Sequence, residues 1–231
     1  TRTGGAYSRL DAFPEMSVQL TQIPWLTFQP FFRWRTTYWD SREGPRDDFS
    51  FLPESVVRHF YETGVEIVGP SVFKIFETPG SEYSPRYKHV IQPRIVYRRV
   101  RQLESDFLNR IIEFDEVDSR VIDRQDLIAE VTTRFFAKRY LNPRDDQRQV
   151  WHVFEVTLGR SFDLDPLDDE TLEALGAPRV QIPWFVRTIV QPTSRLYLQS
   201  NVNFTPSLKP ANVSLSTRVN HDHGLFNVTW F

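Results

Sequence analysis

Apolar and polar residues alternate with a period of two along most of this chain, and that alternation constrains the fold more than any other feature. Side chains that point to two faces in turn define a β-strand, and faces of unlike polarity imply unlike surroundings. From 26 to 38 the even positions read Leu26, Phe28, Pro30, Phe32, Trp34, Thr36 and Tyr38; the odd ones read Thr27, Gln29, Phe31, Arg33, Arg35 and Thr37. Further on, Leu127, Ala129, Val131, Thr133, Phe135 and Ala137 oppose Glu130, Thr132, Arg134 and Lys138, with Ile128 and Phe136 as exceptions. Leu196, Leu198, Val202 and Phe204 oppose Arg195, Tyr197, Gln199, Asn201 and Asn203; Val213, Leu215, Thr217 and Val219 oppose Asn212, Ser214, Ser216 and Arg218. A helical period fits none of these stretches.

Carried along the chain, the pattern predicts strands at about 15–22, 26–39, 56–77, 86–98, 124–140, 150–162, 184–191, 194–205, 210–220 and 224–231. The expected fold is all-β: one domain over 1–231, an antiparallel up-and-down meander of about ten strands. Within 56–77 the odd positions keep one parity across Gly69-Pro70, which reads as one long strand bent at Pro70. Proline lacks a ladder donor, so a bulge is expected there. The only fair helical stretch runs from Leu167 to Leu175.

The connections sort by length. The three longest, at about 40–55, 99–123 and 163–183, fall at the same end of such a meander, and short turns fall at the other. That is the plan of outer-membrane barrels, and a soluble sandwich has no reason to follow it. Trp25, Trp39, Trp151 and Trp184 lie near strand ends, where interfacial girdles need an apolar ring with a polar N–H. The expected object is an incomplete segment of a large transmembrane β-barrel in an outer membrane. A mean hydropathy of −0.43 is no obstacle, because alternating strands average low. No apolar run reaches the roughly 18 residues of a membrane helix.

Energetics choose the lipid-facing side. An Arg at the bilayer midplane costs roughly 2–4 kcal/mol. Leaving Phe31 in a wet interior forgoes at most roughly 1.5–3 kcal/mol of burial. Arg33, Arg35, Glu130, Arg134, Lys138, Arg195, Gln199 and Arg218 are therefore expected to line the inside. Of the 28 basic residues all but Lys74, Lys88, Lys138 and Lys209 are arginine, a cation suited to carboxylate and phosphate.

The chemistry classes thin out. Net charge is −2, which gives no pull toward nucleic acid. There is no cysteine, hence no disulfide or thiolate site. Glu113, Asp115, Glu116, Asp118 and Asp123 cluster in one long connection, and Asp163, Asp165, Asp168, Asp169 and Glu170 in another. Both read as solvated acidic loops: Asp163-x-Asp165 lacks the Gly and the closing Glu of an EF-hand. Paired carboxylates also suit acid–base work or Ca²⁺, and divalent cations that bridge them to phosphate groups are the role between catalysis and a plain solvated loop. No Gly-rich phosphate loop or nucleophile elbow is present. A non-catalytic chain with no cofactor and no metal site is expected. No secretory leader begins the chain at Thr1, and Phe231 shares a face with Asn227 and Thr229, so a piece cut from a longer barrel is expected.

Local motifs carry a resemblance. Lys88-His-Val-Ile-Gln-Pro-Arg-Ile-Val-Tyr97 is similar to a "KH-x-x-E-P-x-x-x-Y" stretch in the barrel of the LptD family of lipopolysaccharide-assembly proteins. Phe114-Asp-Glu-Val-Asp-Ser-Arg120 resembles the "FD-x-x-D-R" that follows there, and the strand Leu127–Tyr140 carries Thr133-Arg134 in the family style. Trp151 to Asp163 is similar to "W-x-x-x-x-x-x-Q-S-Y-D", and Arg9-Leu10 with Pro14-Glu15 to an entry strand. Order and spacing match over most of the chain. Gln92 stands where the family has Glu, and Gly159-Arg160 where it has Gln, which weakens inferences about single polar side chains.

The resemblance implies the middle strands of a barrel that inserts lipopolysaccharide into the outer leaflet. Its partners would be lipopolysaccharide, an LptE-type lipoprotein plug, a periplasmic lipopolysaccharide-transport bridge and outer-membrane lipid. The family's jellyroll, gate strands and cysteines would lie outside this chain. Lys88, Gln92, Arg94 and Arg98 share the polar face of one strand and, with Arg33, Arg35, Arg134 and Lys138, are the expected contacts. A porin or receptor barrel, or a soluble β-sandwich that binds carbohydrate, are the alternatives.

Overall fold

The computed structural model describes residues 8–43, 51–103, 117, 123–139, 148–166, 183–222 and 224–231. The helix candidate at 167–175 lies outside them. The described residues form strands and turns, with no helix. β1 (Arg9–Ala12), β2 (Glu15–Ser17) and β3 (Leu20–Ile23) form one broken strand along β4 (Leu26–Trp39). Pro14 sits at the first break, and its carbonyl still accepts from Trp34 N–H at 3.0 Å. β5 (Arg42–Glu43) and β6 (Phe51–Leu52) make a small ladder of their own in the next connection. Then come β7 (Val56–Val68), β8 (Val72–Glu77), β9 (Arg86–Gln102), β10 (Arg124–Arg139), β11 (Gln149–Asp163), β12 (Trp184–Thr193), β13 (Leu196–Phe204), β14 (Pro210–His221) and β15 (Gly224–Trp230).

Apart from the β5–β6 pair, every strand joins one 13-stranded antiparallel sheet, in which neighbours along the chain are neighbours in space. It is an up-and-down meander, open at β1–β3 on one side and at β15 on the other. The connections after β4, β9 and β11 leave from one end, and the turns 78–85 and 194–195 and the one that joins β14 to β15 lie at the other. Substantial contacts between strands run only between ladder neighbours, so the described strands form a single layer.

The strands are staggered. Arg33, in the middle of β4, opposes Glu62; Glu62 opposes Val100; Val100 opposes Arg124, the first residue of β10. A perpendicular row that slides from mid-strand to strand end within three ladders is the signature of tilted strands, which a curved, barrel-like sheet requires.

β7 and β8 are one strand with a bulge. Val68 pairs with Arg94 and Val72 with Ile91, so residues 69–71 oppose only Gln92 and Pro93. Pro93 has no N–H to offer its neighbour, and the extra residue takes up the missing rung. Gly69 N–H still reaches Pro93 O at 2.9 Å. The bulge changes the parity, which corrects the expectation that odd positions keep one face from 57 to 75. Phe73 and Ile75 share the face of Val90 and Lys88, and Lys74 and Phe76 the opposite one.

Candidate functional site

Register sorts the side chains onto two faces. The apolar face carries Phe28, Phe32, Trp34, Val65, Ile67, Ile91, Ile95, Leu127, Val131, Val156, Leu158, Val186, Leu198, Val213 and Leu215. Much of it is open: Val131 is 47% exposed, Leu158 50% and Trp230 60%. Apart from Lys74 in β8, whose Nζ lies 5.2 Å over the Phe76 ring, its charged groups lie toward strand ends. Arg99 and Arg101 close β9, Arg139 closes β10, and Arg160 lies over the rings of Phe162 at 4.6 Å and Trp184 at 5.0 Å. Its two histidines in mid-sheet meet threonines across the ladder: His59 Nδ1 lies 3.1 Å from Thr36 Oγ1, and His89 Nε2 2.5 Å from Thr133 Oγ1.

The opposite face holds a branching lattice of ion pairs from β1 to β11. Arg35 bonds Asp11 at 2.9 Å, with Thr37 Oγ1 donating to the same carboxylate at 2.7 Å. Arg33 bridges Glu15 at 3.0 Å and Glu62 at 3.2 Å. Arg98 bonds Asp126 at 2.8 Å and lies 3.9 Å from Glu62. Arg94 makes a two-pronged bond to Glu66 at 2.7 and 2.8 Å and reaches Glu130 at 2.8 Å. Arg134 bonds Glu155 at 2.6 Å and the Gln92 side-chain oxygen at 2.9 Å; Gln92 in turn donates to Ser71 at 2.9 Å. Lys88 Nζ sits 4.5 Å over the Phe73 ring, an outcome of the bulge. Lys138 is at an even position of β10, the parity of Arg134, and its backbone carbonyl accepts from Ser84 Oγ at 3.0 Å.

Arg33, Arg35, Lys88, Gln92, Arg94, Arg98, Arg134 and Lys138 therefore share one face, and all of them but Lys88 and Lys138 are joined there by side-chain hydrogen bonds or ion pairs. The acids Asp11, Glu15, Glu62, Glu66, Asp126 and Glu155 were not anticipated. Their signal was parity: Glu62 and Glu66 oppose the Val65 and Ile67 side of their strand. The arrangement alters the chemistry expected of the wall. Arginines held by carboxylates present a largely neutralised hydrogen-bonding surface rather than a row of bare cations.

Apolar residues on this face have specific places. Trp39, expected in a girdle, is instead 1% exposed on the polar side, stacked with Arg58 at 5.1 Å. Arg58 is itself 1% exposed, lies 5.5 Å from the Phe60 ring centroid, and donates to Val117 O at 2.5 Å. Val117 belongs to the long connection after β9, and its carbonyl is held against the polar face by this bond. Elsewhere Phe31 covers Gly64, and Phe185 covers Gly159, where any Cβ would strike the ring. Each ring carries an arginine, Arg33 at 4.8 Å and Arg187 at 4.4 Å.

Of the acidic loop residues, Asp123, Asp163 and Asp165 are described. Asp123 bonds Arg101 at 2.9 Å, and Asp163 accepts from Asp165 N–H at 3.2 Å. Glu113, Asp115, Glu116, Asp118, Asp168, Asp169 and Glu170 lie outside the described residues. Among the described residues no group of three or more His, Asp or Glu is placed to hold a metal ion. No protein-family model matches the chain, and no curated protein matches it.

Proposed function

We propose that this chain is wall of an outer-membrane β-barrel of the LptD type, a non-catalytic part of the path by which lipopolysaccharide enters the outer leaflet. The apolar face meets hydrocarbon, and the lattice of ion pairs meets the hydrated interior. The observation that carries this reading is the pairing of the two faces in one single-layered sheet. Large apolar side chains on one face, Val131, Leu158, Phe226, Val228 and Trp230 among them, lie open, and soluble monomers rarely expose large contiguous apolar patches. The charged groups of that face, Lys74 apart, lie toward strand ends, and the dense ion pairs lie on the other side, as a bilayer demands. The stagger of the strands and the sorting of connections by length support the same reading.

The resemblance in motif order supports the narrower assignment to lipopolysaccharide. In that setting the wall's role is passive. Paired arginines let sugars and a lipoprotein plug slide along hydrogen-bonding groups without trapping phosphate. Photo-crosslinkers at Lys88, Gln92, Arg94 and Arg98 in the full-length protein should capture lipopolysaccharide or the plug. Silence at all four positions, with small-solute conductance through the reconstituted protein, would instead make it a porin.

A further inference from the structure

Among the described residues four arginines lie on the apolar face, and two of them have no hydrogen-bonding partner there. Arg101 bonds Asp123 at 2.9 Å, and Arg139 donates to Pro192 O at 2.6 Å. On the opposite face Arg33, Arg35, Arg94, Arg98 and Arg134 each hold a carboxylate. Arg99 and Arg160 hold none among the described residues. Exposed Arg160 instead lies over the rings of Phe162 and Trp184, at 4.6 and 5.0 Å. A guanidinium that stacks through its faces keeps its N–H donors available in its own plane. Both arginines lie at the end of the sheet from which the long connections leave. Arg99 is three residues short of the end of β9 at Gln102, and Arg160 three short of the end of β11 at Asp163. Arginine is tolerated at that depth, near a membrane interface, and not at the midplane.

Register gathers them over three adjacent strands. Arg160 opposes Ala129, and Ala129 opposes Ile95, four residues before Arg99. From there toward mid-strand the open side chains of the same face are Ile95, Val131 and Leu158, with Val131 opposite Leu158. Two uncompensated cations thus border an exposed apolar strip. Arginine forks match phosphate oxygens. A free anion gains nothing from the strip, whereas a lipid brings its phosphate to the arginines and lays its chains on the apolar side chains. The one acid described on this face at this end, Asp123, is taken by Arg101 and by the Gln102 N–H, so a zwitterionic head group finds no acceptor for its cation. We infer that this end of the apolar face, across β9–β11, docks an anionic phosphate-bearing lipid. Its head group sits at Arg99 and Arg160, and its chains run over Ile95, Val131 and Leu158. The site rests on the reading of that face as lipid-facing.

The test is native mass spectrometry of the full-length protein in non-ionic detergent, with equal amounts of phosphatidylglycerol and phosphatidylcholine of identical chains. The wild type should retain the anionic lipid severalfold over the zwitterionic one. Arg99→Gln with Arg160→Gln should bring the two lipids to parity. Arg160→Gln alone alters an exposed side chain and keeps the test valid if the double variant does not fold; it should lower the ratio clearly. Arg124→Gln removes a cation at the same end on the opposite face, and should leave the ratio as it was. Inorganic phosphate in excess should not displace the lipid, because it lacks the chains. No preference in the wild type, a ratio that survives Arg160→Gln, an equal fall in Arg124→Gln, or displacement by phosphate overturns the lipid site while leaving the membrane reading intact. A protein that stays monomeric without detergent and fails to float with vesicles overturns the membrane reading, and the site with it.

Discussion

At the scale of the residue, the polar face is held by groups that answer each other across ladders. Glu130 is 7% exposed, and its partner Arg94 also grips Glu66. Removing Glu130 leaves part of a guanidinium facing a site it was meant to share. Glu130→Ala is expected to destabilise by about 1–3 kcal/mol, read from denaturant unfolding of the folded full-length protein. Glu130→Gln should recover much of the loss. The covered glycines fail by a different mechanism. Gly64 is roofed by Phe31 and crowded by the Tyr97 carbonyl, so Gly64→Val must displace both. A cost of about 1–3 kcal/mol is expected from overpacking, and Phe31→Ala in the same chain should relieve part of it. Outside the sheet, Ser8 N–H donates to Asp40 Oδ1 at 2.9 Å, and that bond holds the Asp40 carboxyl below its ordinary value. A carboxyl depressed in the folded state stabilises it above the unfolded pKa and loses that contribution as pH falls through the folded one. The protection factor of the Ser8 amide is therefore expected to drop on acidification, and Asp40→Asn should remove that dependence.

At the scale of the element, the strands were largely readable and their irregularities were not. β4 and the starts of β9, β10, β12 and β14 lie where the alternation put them, because a half-buried strand writes its period directly into the sequence. The first expected strand, 15–22, is instead two short pieces, β2 and β3, and a further piece, β1, lies before Pro14, outside the expected range. The bulge at 69–71 was anticipated at Pro70, yet its consequence was misjudged. The proline that matters is also Pro93, across the ladder, and a one-residue slip reverses every side chain beyond it. A polarity-sensitive label at position 74 should therefore be quenched by spin-labelled lipid, and one at 75 should not. The reverse result would mean that the strand keeps its parity through the bend.

At the scale of the whole molecule, the sheet has two faces of unlike polarity and two open edges. β1–β3 and β15 each pair on one side only. Open edges beside an exposed apolar face favour association with other chains. The 231-residue polypeptide expressed alone is expected to be insoluble without detergent, and a monomeric, detergent-free product would sink the barrel reading. In the full-length protein, labels at Ile95, Val131 and Leu158 should be quenched by lipid, and labels at Gln92, Ser161 and Ser216 should respond only to aqueous quenchers.

Alternation alone determined that this chain is all-β, where most strands run, and that Arg33, Arg35, Lys88, Gln92, Arg94, Arg98, Arg134 and Lys138 share a face. Those properties are local: each follows from which neighbours in sequence are apolar. Which acid answers which arginine, why Trp39 is buried on the polar side, and how Tyr83 meets Pro192 were decided only in three dimensions. Pairing depends on register between strands that lie tens of residues apart. Register is set jointly by turns, bulges and stagger, and no single stretch of sequence holds all three.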